Sequence, residues 1–365
     1  MEGQRTGSPV RKVQLGIASN PILNSDYLSM LGFQPFVQTA LRITLGSCSL
    51  AIAEERATAV QTPGSVGAFR MGAAFLQHWY GRGLRSPIYL SSPSYEEHSL
   101  MFAFWGFEDV RCYRYWDAAT KGVSMPEMLE DLRAAPERSV VVLQACAHFP
   151  TGADPTPEQW ELIAEVMKVR SLFPFFDLSM QGLSSGDLEA DAWPVRYFES
   201  QGFEFFCAQT FSTAFGLHDE LVGSLTIVVK DQEVLQHVSS HMAHIARTLW
   251  SKPPIRGGYI IAALFQDTDT AAACKEDLRT MVTKLRSIRE MLVNLLITLK
   301  TPGCWEYLLR QTGIYTYLEL TSQQAEFLRK KKLIPLTSEG AIKICDLTAQ
   351  STIFLAEALI EAVTS

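Results

Sequence analysis

Five short apolar runs set the strongest limit on how this chain can fold. Residues 87–90, 139–143, 172–176, 203–207 and 225–229 carry apolar side chains at neighbouring positions instead of at every second one. Strands of this kind have no wet face, so they belong in a sheet covered on both sides. Helix signals fall between them. Ala68, Gly72, Phe75, Leu76 and Trp79 recur at helical spacing behind the turn Gly64-Ser65-Val66-Gly67. Thr156-Pro157-Glu158-Gln159-Trp160 joins a Thr cap, a proline at the first helical position and a glutamine three residues after the cap, which marks a helix start. This alternation predicts an α/β fold around a mostly parallel sheet. With 47 % apolar and 19 % charged residues, the chain has the material to bury such a core.

From residue 271 the pattern changes. Leu278, Met281, Leu285, Ile288, Leu292, Leu295 and Leu299 predict a long helix over 271–300, ended by Thr301-Pro302-Gly303. Short strands over 314–318 and 342–345 and helices over 322–332 and 349–363 follow, and they read as a smaller second domain. We find no internal repeat. Net charge is −7, and the one basic block is Arg329-Lys330-Lys331-Lys332, so nucleic acid is not an expected partner. No apolar run approaches the roughly 20 residues of a membrane span. The seven cysteines are scattered without a Cys-x-x-Cys pair, which suits reduced thiols in the cytoplasm and not a four-cysteine zinc site.

Several local groupings carry possible chemistry. His237, His241 and His244 share one helical face. No carboxylate stands near enough to orient three imidazoles on zinc, so they read as a solvated face. Ser212, His218 and Asp219 have the residue types of a nucleophilic triad, but spacing alone does not make its geometry. Gly64-Ser65-Val66-Gly67 opens a helix, where backbone N–H groups can meet a phosphate or simply form a turn. Asp177 ends an apolar strand, at the edge where open α/β sheets bind ligands. A carboxylate there suits a cationic group such as a protonated pyridine nitrogen; a helix cap is the other reading.

In order along the chain, the motifs resemble the aspartate aminotransferase family of the cytosolic eukaryotic type. The resemblance is carried by Asn24-Ser25-Asp26-Tyr27-Leu28, by Pro63-Gly64-Ser65-Val66-Gly67-Ala68 and by Tyr113-Arg114-Tyr115-Trp116-Asp117. It continues in Ala145-Cys146-Ala147-His148, the run from Pro150 to Trp160, Phe173-Pro174-Phe175-Phe176-Asp177 and the run from Gly202 to Gln209. It implies a fold-type-I pyridoxal-phosphate transferase: a large α/β domain with a mostly parallel sheet, plus a smaller α/β domain. The implied division is a truncated N-terminal arm at 1–9, the large domain at 10–280, and the connecting helix with the small domain at 281–365. It also implies a homodimer with composite sites acting on a small dicarboxylic amino or oxo acid. Leu31, Phe33, Ile245 and Leu249 are the apolar residues expected at the dimer contact.

The resemblance assigns roles by position. Asp177 is the partner of the ring nitrogen and His98 its support. Tyr95 stands where a tryptophan stacks on the ring. Gly64, Ser65, Val66, Thr210 and Ser212 surround the phosphate. Tyr27 and Arg247 stand where one subunit reaches the other's site, Tyr27 at the phosphate and Arg247 at the distal carboxylate.

The departures are as specific. The family's Ser-Phe-Ser-Lys-Asn-Phe-Gly motif reads Thr210-Phe211-Ser212-Thr213-Ala214-Phe215-Gly216. Thr213 therefore replaces the lysine that holds the cofactor covalently and moves the substrate proton, and a hydroxyl does neither. The phosphate-binding arginine falls at Leu221 and the α-carboxylate arginine at Ala341. Lys343 is expected to point away from that clamp. Two polar groups at the cofactor's phenolic oxygen become Phe149 and Met180. Lys252 is the lysine expected nearest the pocket. Removing one partner of a buried charge pair typically costs about 2–5 kcal/mol. Several such losses in one site predict a catalytically impaired protein that binds pyridoxal phosphate weakly. An active aspartate:2-oxoglutarate transaminase is the alternative.

Overall fold

A seven-stranded sheet organises the protein: β1 (Ala57–Pro63), β2 (Ile88–Ser92), β3 (Val110–Arg114), β4 (Val140–Gln144), β5 (Phe173–Asp177), β6 (Phe205–Thr210) and β7 (Val222–Val228). This is a computed structural model, and it describes residues 8–19, 29–80 and 86–364. The strand order is β1-β7-β6-β5-β4-β2-β3, parallel throughout except that β7 runs against both neighbours.

The two-faced burial expected from the apolar runs is present. Val141 and Leu143 of β4 enter the core on one side of the sheet, while Val140 and Val142 enter the core on the other. Phe176 and Phe175 of β5, and Cys207 and Phe206 of β6, divide in the same way. This follows from the period-2 alternation of a strand whose faces are both covered.

Polar residues explain most of the shifted boundaries. β6 continues through Gln209, which is buried because its Oε1 accepts a hydrogen bond from Thr44 Oγ1 at 3.0 Å. β1 is absent from the sequence reading because it mixes small and polar residues. Gln61 within it is nonetheless buried, accepting from Phe33 N at 2.9 Å and donating to the Pro254 carbonyl at 2.7 Å. The long helix spans Thr268–Thr298 and begins earlier than its apolar periodicity, because Asp267 caps the Thr270 N–H at 2.8 Å.

Beyond the long helix stand a two-stranded ribbon, β8 (Tyr315–Tyr317) with β9 (Ala341–Lys343), and the helices Ser322–Lys331 and Ala349–Thr364. Their apolar core includes Leu285, Leu292, Ile342 and Leu355 and extends to Phe211 and Phe215. The segment that carries Thr213 is thus anchored on both sides by buried rings. His241, from the helix Gln232–Leu249, packs on Trp79 with ring centroids 4.4 Å apart. Among the described residues no helix is long and apolar enough to cross a membrane.

Candidate active site

A cleft of about 340 Å³ opens at the C-terminal ends of β4, β5 and β6, lined there by Gln144, Asp177 and Thr210. Ligand sites of open α/β sheets occupy this edge. Ser65 and Val66, in the first turn of the helix Gly64–Trp79, form one side; Tyr315 and Lys343 of the ribbon form another.

Asp177 is 9 % exposed. Its Oδ2 accepts from His98 Nε2 at 3.0 Å, and its Oδ1 accepts from the Ser179 backbone N–H at 2.9 Å and from the Ser179 hydroxyl. His98 is itself buried, packed on Phe69 with centroids 4.6 Å apart. The carboxylate is therefore held in one orientation with its charge partly compensated. It can still receive one more donor from the cleft, as a carboxylate has about four acceptor positions.

The cleft wall is aromatic. Tyr95 meets Phe149 edge to face at 5.2 Å and 78°, and Phe149 meets Tyr315 at 4.9 Å and 81°. Phe149 is fixed through its backbone: the Gln144 amide donates to its carbonyl at 2.8 Å and accepts from its N–H at 2.7 Å. Burial, followed by the charge of Glu97, raises the Tyr95 hydroxyl above its usual pKa and keeps it protonated. Burial does the same for the Cys146 thiol, which lines the cleft as a neutral group and not a thiolate nucleophile.

Thr213 lines the cleft, on the short helix Ser212–Phe215 that ends at Gly216 with φ +64°. Thr210 Oγ1 donates to the Val222 carbonyl and accepts from Ser212 N, both at 3.3 Å. Gly64, φ +67°, brings the helix start close to that hydroxyl, since a Cβ on it would stand 3.9 Å from Thr210 Oγ1. The cleft therefore gathers Ser65, Val66, Tyr95, His98, Asp177, Thr210 and Thr213.

Ser212 stands behind the cleft, its Oγ accepting the Val222 N–H at 3.1 Å, so the grouping with His218 and Asp219 does not present a nucleophile there. His218 lines the cleft. Arg247 lies on the exposed face of the helix Gln232–Leu249, outside this chain's cleft. Tyr27 lies outside the described residues. Ile245 is buried within its own chain and needs no partner to cover it. Leu221 is 55 % exposed and adds no charge to the cleft, while Ala341 is fully buried.

Lysines are placed otherwise than the sequence reading expects. Lys343 lines the cleft and Lys252 does not. Residues i and i+2 of a strand share a face, so Lys343 stands on the same side of β9 as Ala341. That alternation was the signal available in the sequence. Lys343 Nζ lies 3.1 Å from Asp346 Oδ2. Burial by itself lowers an ammonium pKa, yet the hydrogen bond to Asp346 and the charge of that carboxylate leave Lys343 above its usual value and charged.

Comparison with known proteins agrees with the geometry. Residues 27–352 match the family described as Aminotransferase class I and II. The chain is 46 % identical to the cytoplasmic aspartate aminotransferase of Gallus gallus over 366 aligned positions, covering 100 % of this chain and 89 % of that protein. It is 39 % identical to the cytoplasmic enzyme of Caenorhabditis elegans, covering 99 % and 88 %. Among solved structures, the Saccharomyces cerevisiae cytoplasmic aspartate aminotransferase is similar with a TM-score of 0.94 at 29 % identity, covering 99 % of this chain and 88 % of that one. An aromatic-amino-acid aminotransferase from Burkholderia pseudomallei, covalently bound to pyridoxal phosphate, has a TM-score of 0.93 at 32 % identity over 98 % and 88 %. The mixed, mostly parallel sheet is that of fold-type-I transferases. With the cleft at its strand ends and this likeness along the whole length, the chain belongs to the class I aminotransferases, as a relative of the aspartate aminotransferases.

Proposed function

We propose that this protein keeps an aminotransferase fold and ligand cleft but does not carry out ordinary transamination. The observation that carries this reading is Thr213, a hydroxyl lining the cleft at the motif position of the family's reactive amine. Pyridoxal phosphate supplies electron withdrawal from a substrate amino acid when held in such a site. The buried Asp177, supported by His98, suits its protonated ring nitrogen, and Tyr95 offers a ring face. The far end fits poorly: Thr213 cannot attach it, and Leu221 places no cation beside Ser65 and Thr210. The residues present therefore fit this group as a weakly held, non-covalent ligand, and we derive no catalytic step through it.

The same reading takes the chain as a cytoplasmic homodimer, in keeping with two relatives named as cytoplasmic enzymes. Its domain division is 10–280 and 281–365. A second reading, an active aspartate:2-oxoglutarate transaminase, is favoured by the intact Asp177–His98 pair and by the amine of Lys343 in the cleft. One experiment separates the two: absorption spectroscopy of the purified protein with pyridoxal phosphate, then borohydride reduction and peptide mass spectrometry. The impaired reading expects no lysine-linked cofactor. Stoichiometric labelling of a cleft lysine would overturn it.

A further inference from the structure

We infer that a second groove, built by the C-terminal part of the chain, docks an extended peptide whose apolar residues adjoin acidic ones. The groove holds about 530 Å³. Leu333, Ile334 and Leu336 line it ahead of β9, Ile342 lines it from within β9, and Phe354 and Leu355 line it from the helix Ala349–Thr364. A mostly apolar hollow of this size is in the range of ligand sites. Tyr315 and Lys343 are shared with the cleft, but Leu333 and Phe354 line the groove alone, so it can be probed separately.

Leu333 is the first sign of a partner. It is 81 % exposed, and Phe354 beside the same groove is 47 % exposed. Leu333 also has φ +55°, just past the end of the helix Ser322–Lys331, where glycine or asparagine is usual. A large apolar side chain held in this conformation and left in water adds little to its own fold. Such outliers gather at functional sites.

Charge is the second. The one basic block of the chain, Arg329-Lys330-Lys331-Lys332, closes that helix and leads into Leu333. Lys330 is answered by Glu326 and Lys332 by Glu361. Arg329 donates to the carbonyl of Thr337, a lining residue, and Lys331 is exposed. Neither has a carboxylate partner among the described residues. Asp346, the acidic residue of the lining, is held by Lys343 at 3.1 Å. Two cations at the rim thus remain unanswered, which favours an anionic partner.

The backbone is the third. Ile334 N donates to the Leu328 carbonyl at 3.0 Å and Thr337 N to the Ala341 carbonyl at 2.9 Å. Between them, the N–H and carbonyl of Leu336 have no hydrogen bond among the described residues. A peptide main chain brings both an acceptor and a donor to such groups, whereas an acyl chain brings neither. Leu31, Phe33, Leu249 and the cross-subunit Arg247 all precede the long helix, so a dimer built on them does not draw on groove residues.

The test is fluorescence anisotropy of a labelled hexapeptide, two glutamates followed by leucine, valine, leucine and valine, titrated with the full chain. We expect saturable binding. Lysines in place of its glutamates, or serines in place of its apolar residues, should weaken binding about tenfold. Leu333→Asp should also weaken it about tenfold, and aspartate accepts a positive φ, so the fold is kept; circular dichroism checks this. Lys331→Glu should weaken it about threefold. Leu309→Asp, at another exposed leucine outside the groove, should leave it unchanged. No binding, equal affinity for the lysine peptide, or an equal loss in Leu309→Asp would overturn the inference. Phosphatidylserine vesicles that sediment with the wild type but not with Leu333→Asp would make this a membrane face. Dissociation of an assembly by Leu333→Asp in sedimentation velocity would make it a contact between copies. Either result overturns the peptide.

Discussion

Replacing Gly223 by alanine would put a methyl group where three backbone atoms already stand. Gly223 lies in β7, paired with Thr62 of β1 on one side and Thr210 of β6 on the other. A Cβ there would sit 2.5 Å from the Gln209 carbonyl oxygen, 2.5 Å from Gly64 C and 2.7 Å from Gly64 Cα. Ordinary carbon contacts begin near 3.5 Å, so about 1 Å of relief is needed. No rotamer supplies it, since all three atoms are main chain. Either β7 moves within the sheet or the helix start at Gly64 moves, and that helix start carries Ser65 and Val66 into the cleft. Overpacking a well-packed interior costs about 1–3 kcal/mol, and a main-chain clash belongs at the upper end. At about 3 kcal/mol the urea midpoint should fall by about 1 M, for a slope near 3 kcal/mol per molar. Tryptophan fluorescence against urea measures it. Gly16→Ala is the control: its site is an exposed helix position with nothing within 4 Å, and it should gain about 0.5–1 kcal/mol. A Gly223→Ala midpoint equal to wild type would refute the argument that close backbone approach shapes this end of the cleft.

Three further expectations concern chemistry, pH and assembly. Thr213→Lys alone should leave steady-state transamination of aspartate with 2-oxoglutarate about a hundredfold or more below that of a working relative, because groups acting on one transition state fail together. Adding Leu221→Arg should raise it further, and near-full activity of the single variant would contradict the impaired reading. Burial, with the charge of His98 as a lesser cause, pushes the His148 imidazole down to about 3. The unfolded chain therefore takes up a proton below about pH 6.5 that the folded protein does not, and stability should decline as pH falls from there toward 3. His148→Gln should flatten that decline in urea midpoints compared between pH 5 and pH 7; an identical decline in both proteins would refute the assignment. Sedimentation at micromolar concentration should show a homodimer, and a monomer would contradict the proposed assembly.

The strands were legible in the sequence because two-faced burial leaves a local mark. Runs such as Val140–Gln144 and Phe173–Asp177 are apolar at adjacent positions, and no other soluble arrangement explains that as simply. The capped helix at Thr156 was legible for the same reason, since its hydrogen bonds are made within a few residues: Gln159 N donates to Thr156 Oγ1 at 3.3 Å, and Gln159 Oε1 accepts from Thr156 N at 2.9 Å. The position of Asp177 at a strand end could be read from order alone. β1 could not, because Gln61 and Thr62 become interior residues only through partners far along the chain. Strand order and the reversal of β7 are likewise settled by packing between distant segments.

The make-up of the cleft divides in the same way. Its acidic end is contiguous in sequence logic: Asp177 closes β5 and Ser179 bonds it two residues on. Its basic end is not. Lys343 reaches the cleft because the ribbon of Tyr315–Tyr317 and Ala341–Lys343 packs beside Phe149, and strand alternation gives it the face of Ala341. Ser212 and Thr213 are neighbours in the chain, yet the Ser212 hydroxyl is engaged by the Val222 amide while Thr213 lines the cleft. Sequence specifies residue types and local periodicity. Which charge faces which depends on long-range packing, and only the tertiary structure decided it.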